Sequence, residues 1–134
     1  MSDLPPGTPI PMPRPSAAAR PLSVSIAGWI LVTAGGITSL GGLVILAAGG
    51  ATSAARPLGA GYVAFGAAEL LAGSMVRSLR SAFRPIGVVL AVAGIVVDVG
   101  GLVAGSRWQI VAIGAHAFVA YVLATSAEAF RRRG

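Results

Sequence analysis

The sequence predicts an all-α integral membrane protein, a bundle of four transmembrane helices packed through glycine and alanine, and three observations predict it. Of 134 residues, 55% are hydrophobic and only 10% are charged, whereas an average soluble domain carries roughly 25% charged residues. A chain this short has no interior large enough to bury that much apolar surface, so lipid must face much of it. The apolar residues also fall into four runs, each near the 20 or so residues a helix needs to cross roughly 30 Å of hydrocarbon. These runs show neither the alternation of a barrel strand nor the polar stripe of a soluble helix.

Residues 1–20 hold Pro5, Pro6, Pro9, Pro11, Pro13 and Pro15 in a polar setting. That pattern reads as a disordered or polyproline-type cytoplasmic tail. It lacks the compact apolar core and small-residue cleavage site of a secretory signal, so it is expected to remain on the mature chain. A four-span domain then covers 21–130, with spans at about 21–48, 57–76, 85–104 and 108–127, and 131–134 form a basic cytoplasmic tail. Three spans open with Arg20-Pro21, Arg56-Pro57 and Arg84-Pro85, and the fourth with Arg107-Trp108. Proline at the first helical position loses no hydrogen bond, the arginines snorkel to phosphates, and Trp108 suits the interface.

All ten basic residues are arginine, opposed only by Asp3, Glu69, Asp98 and Glu128, for a net charge of +6. A basic soluble chain would suggest nucleic acid, but no basic surface is interleaved with aromatic residues, and no nucleic-acid partner is expected. The arginines instead punctuate the apolar runs. Arg14, Arg20, Arg77, Arg80, Arg84, Arg131, Arg132 and Arg133 fall on one side, and Arg56 and Arg107 on the other. The positive-inside rule then places both termini in the cytoplasm of a multi-pass inner (plasma) membrane protein. Arginine without lysine, with abundant Ala, Gly and Pro, is the usage of a GC-rich bacterial genome. With no cysteine there is no disulfide framework, thiolate metal site or acylated cysteine.

Glycines recur every seven residues at Gly28, Gly35, Gly42 and Gly49 in the first span. They recur likewise at Gly59, Gly66 and Gly73 in the second and at Gly87, Gly94 and Gly101 in the third. Lipid offers no hydrophobic gain for hiding leucine against leucine, so association depends on close approach at small residues, and a period of seven favours a left-handed bundle. The fourth span offers Ala112, Ala120 and Ala124 around His116. Laying Ala34 to Val44 (AGGITSLGGLV) over Ala93 to Val103 (AGIVVDVGGLV) matches Ala-Gly and then Gly-Gly-Leu-Val, the pattern of a parallel duplication of a helical hairpin.

Glu69, Asp98 and His116 lie deep in spans two, three and four, where each ionisable group costs a few kcal/mol on an isolated helix. All three point along small-residue faces. Counting from the turn near Ser106 at 1.5 Å per residue puts Asp98 and His116 within about 3 Å of one level, with Glu69 about 6 to 8 Å away along the normal. This buried polar cluster reads either as an interhelical clamp or as a proton or ion site, or as a site completed by another subunit. Thr33, Thr38, Ser39, Ser74 and Thr125 can return their hydroxyls to the preceding turn. Arg77, Arg80 and Arg84, spaced by three and four, share one helical face at the cytoplasmic surface and are expected to hold the headgroups of anionic lipids.

No phosphate loop, dinucleotide fingerprint or nucleophile beside the single histidine is present, so no enzyme activity, cofactor or metal is expected. The expected role is a structural or accessory subunit of a membrane complex, or a homo-oligomer. The alternative is a small proton- or cation-coupled transporter or channel using Glu69, Asp98 and His116.

Overall fold

The computed structural model describes residues 21–48 and 55–131. The expectations for the proline-rich segment 1–20, including Arg14 and Arg20, and for Gly49, Arg132 and Arg133 lie outside the described residues. Within them the chain is wholly helical: α1 (Leu22–Ala48), α2 (Ala55–Arg77), α3 (Phe83–Val103), α4 (Gln109–Thr125) and the short α5 (Ala127–Arg131). The first three are long and apolar enough to cross a membrane, whereas α4, at 17 residues, is shorter.

Local chemistry sets the ends. The Pro21 carbonyl accepts from the Val24 and Ser25 amides at 3.1 and 3.3 Å and so starts α1. Pro57 and Pro85 occupy the third helical position rather than the first. The cost is the same, because no amide of the first turn has a partner within the helix. The ends of α2 and α3 use one device, a left-handed residue whose amide, with the next one, closes back on the last turn. Beyond α3 this is Gly105 (φ 97), whose amide donates to Leu102 O while that of Ser106 donates to Gly101 O. Beyond α2 it is Leu79 (φ 57), donating to Val76 O, with Arg80 donating to Met75 O. A left-handed backbone costs a residue with a side chain roughly 1–2 kcal/mol. Leu79 is only 4% exposed within the core, so apolar burial offsets that cost.

Helix α4 covers Gln109–Thr125 of the span expected at about 108–127. Thr125 Oγ1 donates back to the Tyr121 carbonyl at 2.9 Å, α4 stops there, and α5 turns inward. That turn places Phe130, 2% exposed, in the core with Val24, Ala27, Leu31, Val76, Val119 and Leu123. Beneath the bundle the ring buries a large apolar area that a straight continuation of α4 would not give it.

The glycine heptads decide the pairing. Helices α1 and α2 run antiparallel with glycine against glycine. A Cβ added at Gly73 would stand 2.7 Å from the Gly28 carbonyl oxygen, one at Gly66 2.5 Å from that of Gly35, and one at Gly59 2.9 Å from that of Gly42. Helices α3 and α4 repeat this antiparallel register with a different partner set: Gly87 faces Leu123, Gly94 faces His116 and Gly101 faces Gln109. The expected alanine face of α4 is therefore corrected. Ala112 and Ala120 are half-buried and Ala124 is exposed, because large side chains spaced by seven enter the glycine notches instead. Outward, the bundle presents large apolar residues, among them Ile37, Leu40, Val44, Leu71, Val89, Val96, Val103 and Val111.

Candidate functional site

Three helices meet at His116. Gly94 has no side chain, so the imidazole of α4 lies across the α3 backbone there, with its Nε2, Cδ2 and Cε1 all within 2.9 Å of where a Cβ would stand. Passing through that notch, the ring reaches both neighbours. Its Nδ1 lies 2.8 Å from Asp98 Oδ2, one turn further along α3, and its Nε2 lies 3.0 Å from Glu69 Oε1 on α2. Glu69 is fully buried, His116 is 5% exposed and Asp98 8% exposed.

Glu69 is bonded directly to His116, because the glycine notch in α3 lets the imidazole of α4 reach across to α2. Sequence counting along a helix fixes level, and it says nothing about how far a side chain reaches sideways.

The two hydrogen bonds constrain the protons. Each needs one proton between its heavy atoms, and a neutral imidazole carries only one N–H. The triad therefore holds two protons. One arrangement is an imidazolium between two carboxylates; the other is a neutral imidazole with one carboxylic acid and one carboxylate. Both have a net charge of −1, and they interconvert by moving a proton within a hydrogen bond. One oxygen stands apart: Glu69 Oε2 is buried and has no hydrogen-bond partner. Among the described residues, no group of three His, Asp or Glu side chains is disposed to hold a metal ion.

Sequence reasoning missed Gln109. Its side chain fills the Gly101 notch, which shares a face of α3 with Asp98 one turn before it. Gln109 and His116 thus form a polar series along the α3–α4 seam, ending at the exposed turn of Gly105, Ser106 and Arg107. The signal was available: Gln109, His116 and Leu123 repeat every seven residues, opposite the heptad of α3.

The three arginines do not share one helical face, because the helix is interrupted between Arg77 and Phe83. The Arg77 stem lies over Gly28 and its guanidinium stacks on the Trp29 ring, 3.8 Å from the centroid, a cation–π contact. Arg84 donates from Nε to the Leu123 carbonyl at 2.7 Å and from Nη2 to that of Ala124 at 2.6 Å. Those carbonyls lie in the last turn of α4, which has no further amide to accept from, and a cation there also suits the helix dipole. Arg80 lies in the turn and is exposed. Of the hydroxyls, Ser74 and Thr125 return to the preceding turn at 2.9 Å, while Ser39 Oγ is buried without a partner.

Comparison with protein-family models, with curated proteins and with solved structures finds no match for this chain. The site must therefore be read from its own chemistry.

Proposed function

We propose that the chain is a small multi-pass protein of the bacterial inner membrane, acting as a structural or accessory subunit of a larger membrane complex or of a homo-oligomer. The mutual hydrogen bonding of Glu69, His116 and Asp98 carries this reading. The ionisable groups at membrane depth clamp α2, α3 and α4 together, and the surface around them is left apolar for lipid and for partner helices. Outward-facing glycines such as Gly36, Gly41, Gly61, Gly100 and Gly114 meet nothing within 4 Å, which leaves room for the close backbone contacts that helices use in lipid.

In this reading all four long helices span the bilayer, with α4 completing its crossing through the α5 turn. Both termini lie in the cytoplasm, since the end of the bundle holding Arg77, Arg80, Arg84 and Arg131 is the arginine-rich one. Arg80 contacts anionic headgroups there, with the outward edges of Arg77 and Arg84. A proton- or cation-coupled transporter built on the same triad is the second reading, favoured by the unpartnered Glu69 Oε2.

The test is gentle extraction through a C-terminal tag, followed by the mass and composition of what is recovered. Other subunits in fixed stoichiometry, or a self-oligomer of defined size, support the proposal. A monomer that catalyses proton-driven flux in vesicles replaces it with the second reading.

A further inference from the structure

We infer that the Glu69–His116–Asp98 triad is a reversible proton-binding site, filled from water at the α3–α4 turn along the seam of Gln109 and Asp98, with Glu69 as its closed end. Three observations carry this, and none depends on what the protein assembles with.

The first is the proton count. With one proton in each hydrogen bond the triad has a net charge of −1 inside a bundle whose core is otherwise apolar, and a buried net charge is expensive. A third proton makes it neutral without breaking either bond. The second is the gradient of burial. Glu69 is sealed at 0% exposure, while the Asp98 side chain keeps 11%. Asp98 is therefore the least covered member of the triad, and Gln109 is the polar side chain placed along the seam between it and the exposed turn. The third is the orphan oxygen. Ionised Glu69 would leave a charged oxygen buried without a donor, whereas protonated Glu69 leaves Oε2 as a neutral carbonyl oxygen, a smaller penalty.

The step balances simply. A proton from water forms an O–H bond on the outer oxygen of Asp98, and the triad passes from −1 to neutral. Release reverses it. Protons already inside the two hydrogen bonds can move from oxygen to nitrogen without changing this count.

Among the described residues no other titratable side chain bonds to the triad. On α2 the nearest in sequence are Tyr62 and Arg77, each about two turns from Glu69. On α3 Arg84 is bonded to α4 carbonyls, on α4 Tyr121 is exposed, and α1 carries no titratable side chain. His116 is the only histidine, so ¹⁵N-histidine labelling reports on it alone.

The full chain, reconstituted in nanodiscs of phosphatidylcholine and phosphatidylglycerol, should be followed by ¹⁵N NMR from about pH 4 to 9, the range in which imidazole sites respond. Both ring nitrogens should shift together in a single one-proton step. Asp98→Asn should abolish that step or move its midpoint by at least about one pH unit, a tenfold change in proton affinity. Gln109→Leu should leave the midpoint in place and slow proton exchange several-fold. Ring resonances that stay constant across the range would mark a static clamp and overturn the inference, as would an unchanged step in Asp98→Asn. If Asp98→Asn loses its helical circular dichroism, the infrared difference spectrum of the unmodified protein decides. A buried carboxyl C=O band that grows as pH falls supports the site, and its absence refutes it.

Discussion

The two hairpins of this bundle repeat one register and solve it differently. Overlaying Ala34 to Val44 on Ala93 to Val103 also sets Gly28, Gly35 and Gly42 on Gly87, Gly94 and Gly101. Across the seam, Gly73, Gly66 and Gly59 of α2 stand where Leu123, His116 and Gln109 stand in α4. The first hairpin is closed by backbone against backbone. In the second, a side chain is wedged into every notch, and at the middle notch that side chain is the imidazole. Ser39, whose hydroxyl is buried without a partner, holds the position in α1 that Asp98 holds in α3. A glycine ladder is thus only half of a packing specification. What stands opposite decides whether the seam becomes a dry contact or a polar site.

The largest expected effect comes from emptying the middle notch of the second hairpin. His116→Ala leaves Glu69 and Asp98 buried without their shared partner, and should destabilise the bundle by about 3–5 kcal/mol. Unfolding in mixed micelles followed by circular dichroism measures it. The triple variant Glu69→Leu, Asp98→Ser, His116→Gly makes this level resemble the first hairpin and should recover most of the loss. If it is no better than His116→Ala, removal of uncompensated polar groups does not explain the cost.

Filling the corresponding position of the first hairpin should cost less. Gly66→Ala drives a methyl group against the Gly35 carbonyl and Ser39, and the helices must part, at about 1–3 kcal/mol. The same unfolding assay, with crosslinking of α1 to α2, would show the separation. A neutral result would mean that this seam is looser than its glycines imply.

The two helix ends offer a smaller contrast. Gly105 meets nothing within 4 Å, so Gly105→Leu gains no burial for its left-handed backbone and should lose about 1–2 kcal/mol. Leu79→Gly removes the backbone strain but also a buried side chain, and should still lose about 1 kcal/mol on balance. If Leu79→Gly stabilises the protein instead, burial is not what holds that leucine in place.

The smallest effect is the control. Gly36 and Gly100 are sequence neighbours of the packed Gly35 and Gly101 but face open space. Gly36→Ala and Gly100→Ala should be neutral or stabilising by up to about 1 kcal/mol in the isolated protein, from helix propensity alone. If either substitution is neutral in the purified protein but releases partner chains or dissociates the oligomer, that glycine face is the assembly surface.

Much of the fold was legible because long apolar helices follow simple rules. Length and hydropathy marked the helices, the arginines marked their ends, and the heptad marked the packing face. The turn from α4 into α5 was not legible, since only the core reveals that Phe130 has a place to go. The arginines were misread as one face because no sequence signal announced that Leu79 would adopt a left-handed backbone. At the site, residue types and approximate depth were readable from the rarity of charge in an apolar run. The direct bond between Glu69 and His116 was not, because it depends on a side chain crossing a notch.

By itself the sequence determined the helical composition, the heptad of small residues and the three ionisable groups that must be hidden, since these follow from one-dimensional spacing and the cost of leaving charge unpaired in apolar surroundings. Only the tertiary structure decided which glycines meet glycines and which receive a side chain. That depends on the lateral order and register of separate helices, and those are set by shape complementarity across a seam that no single segment contains.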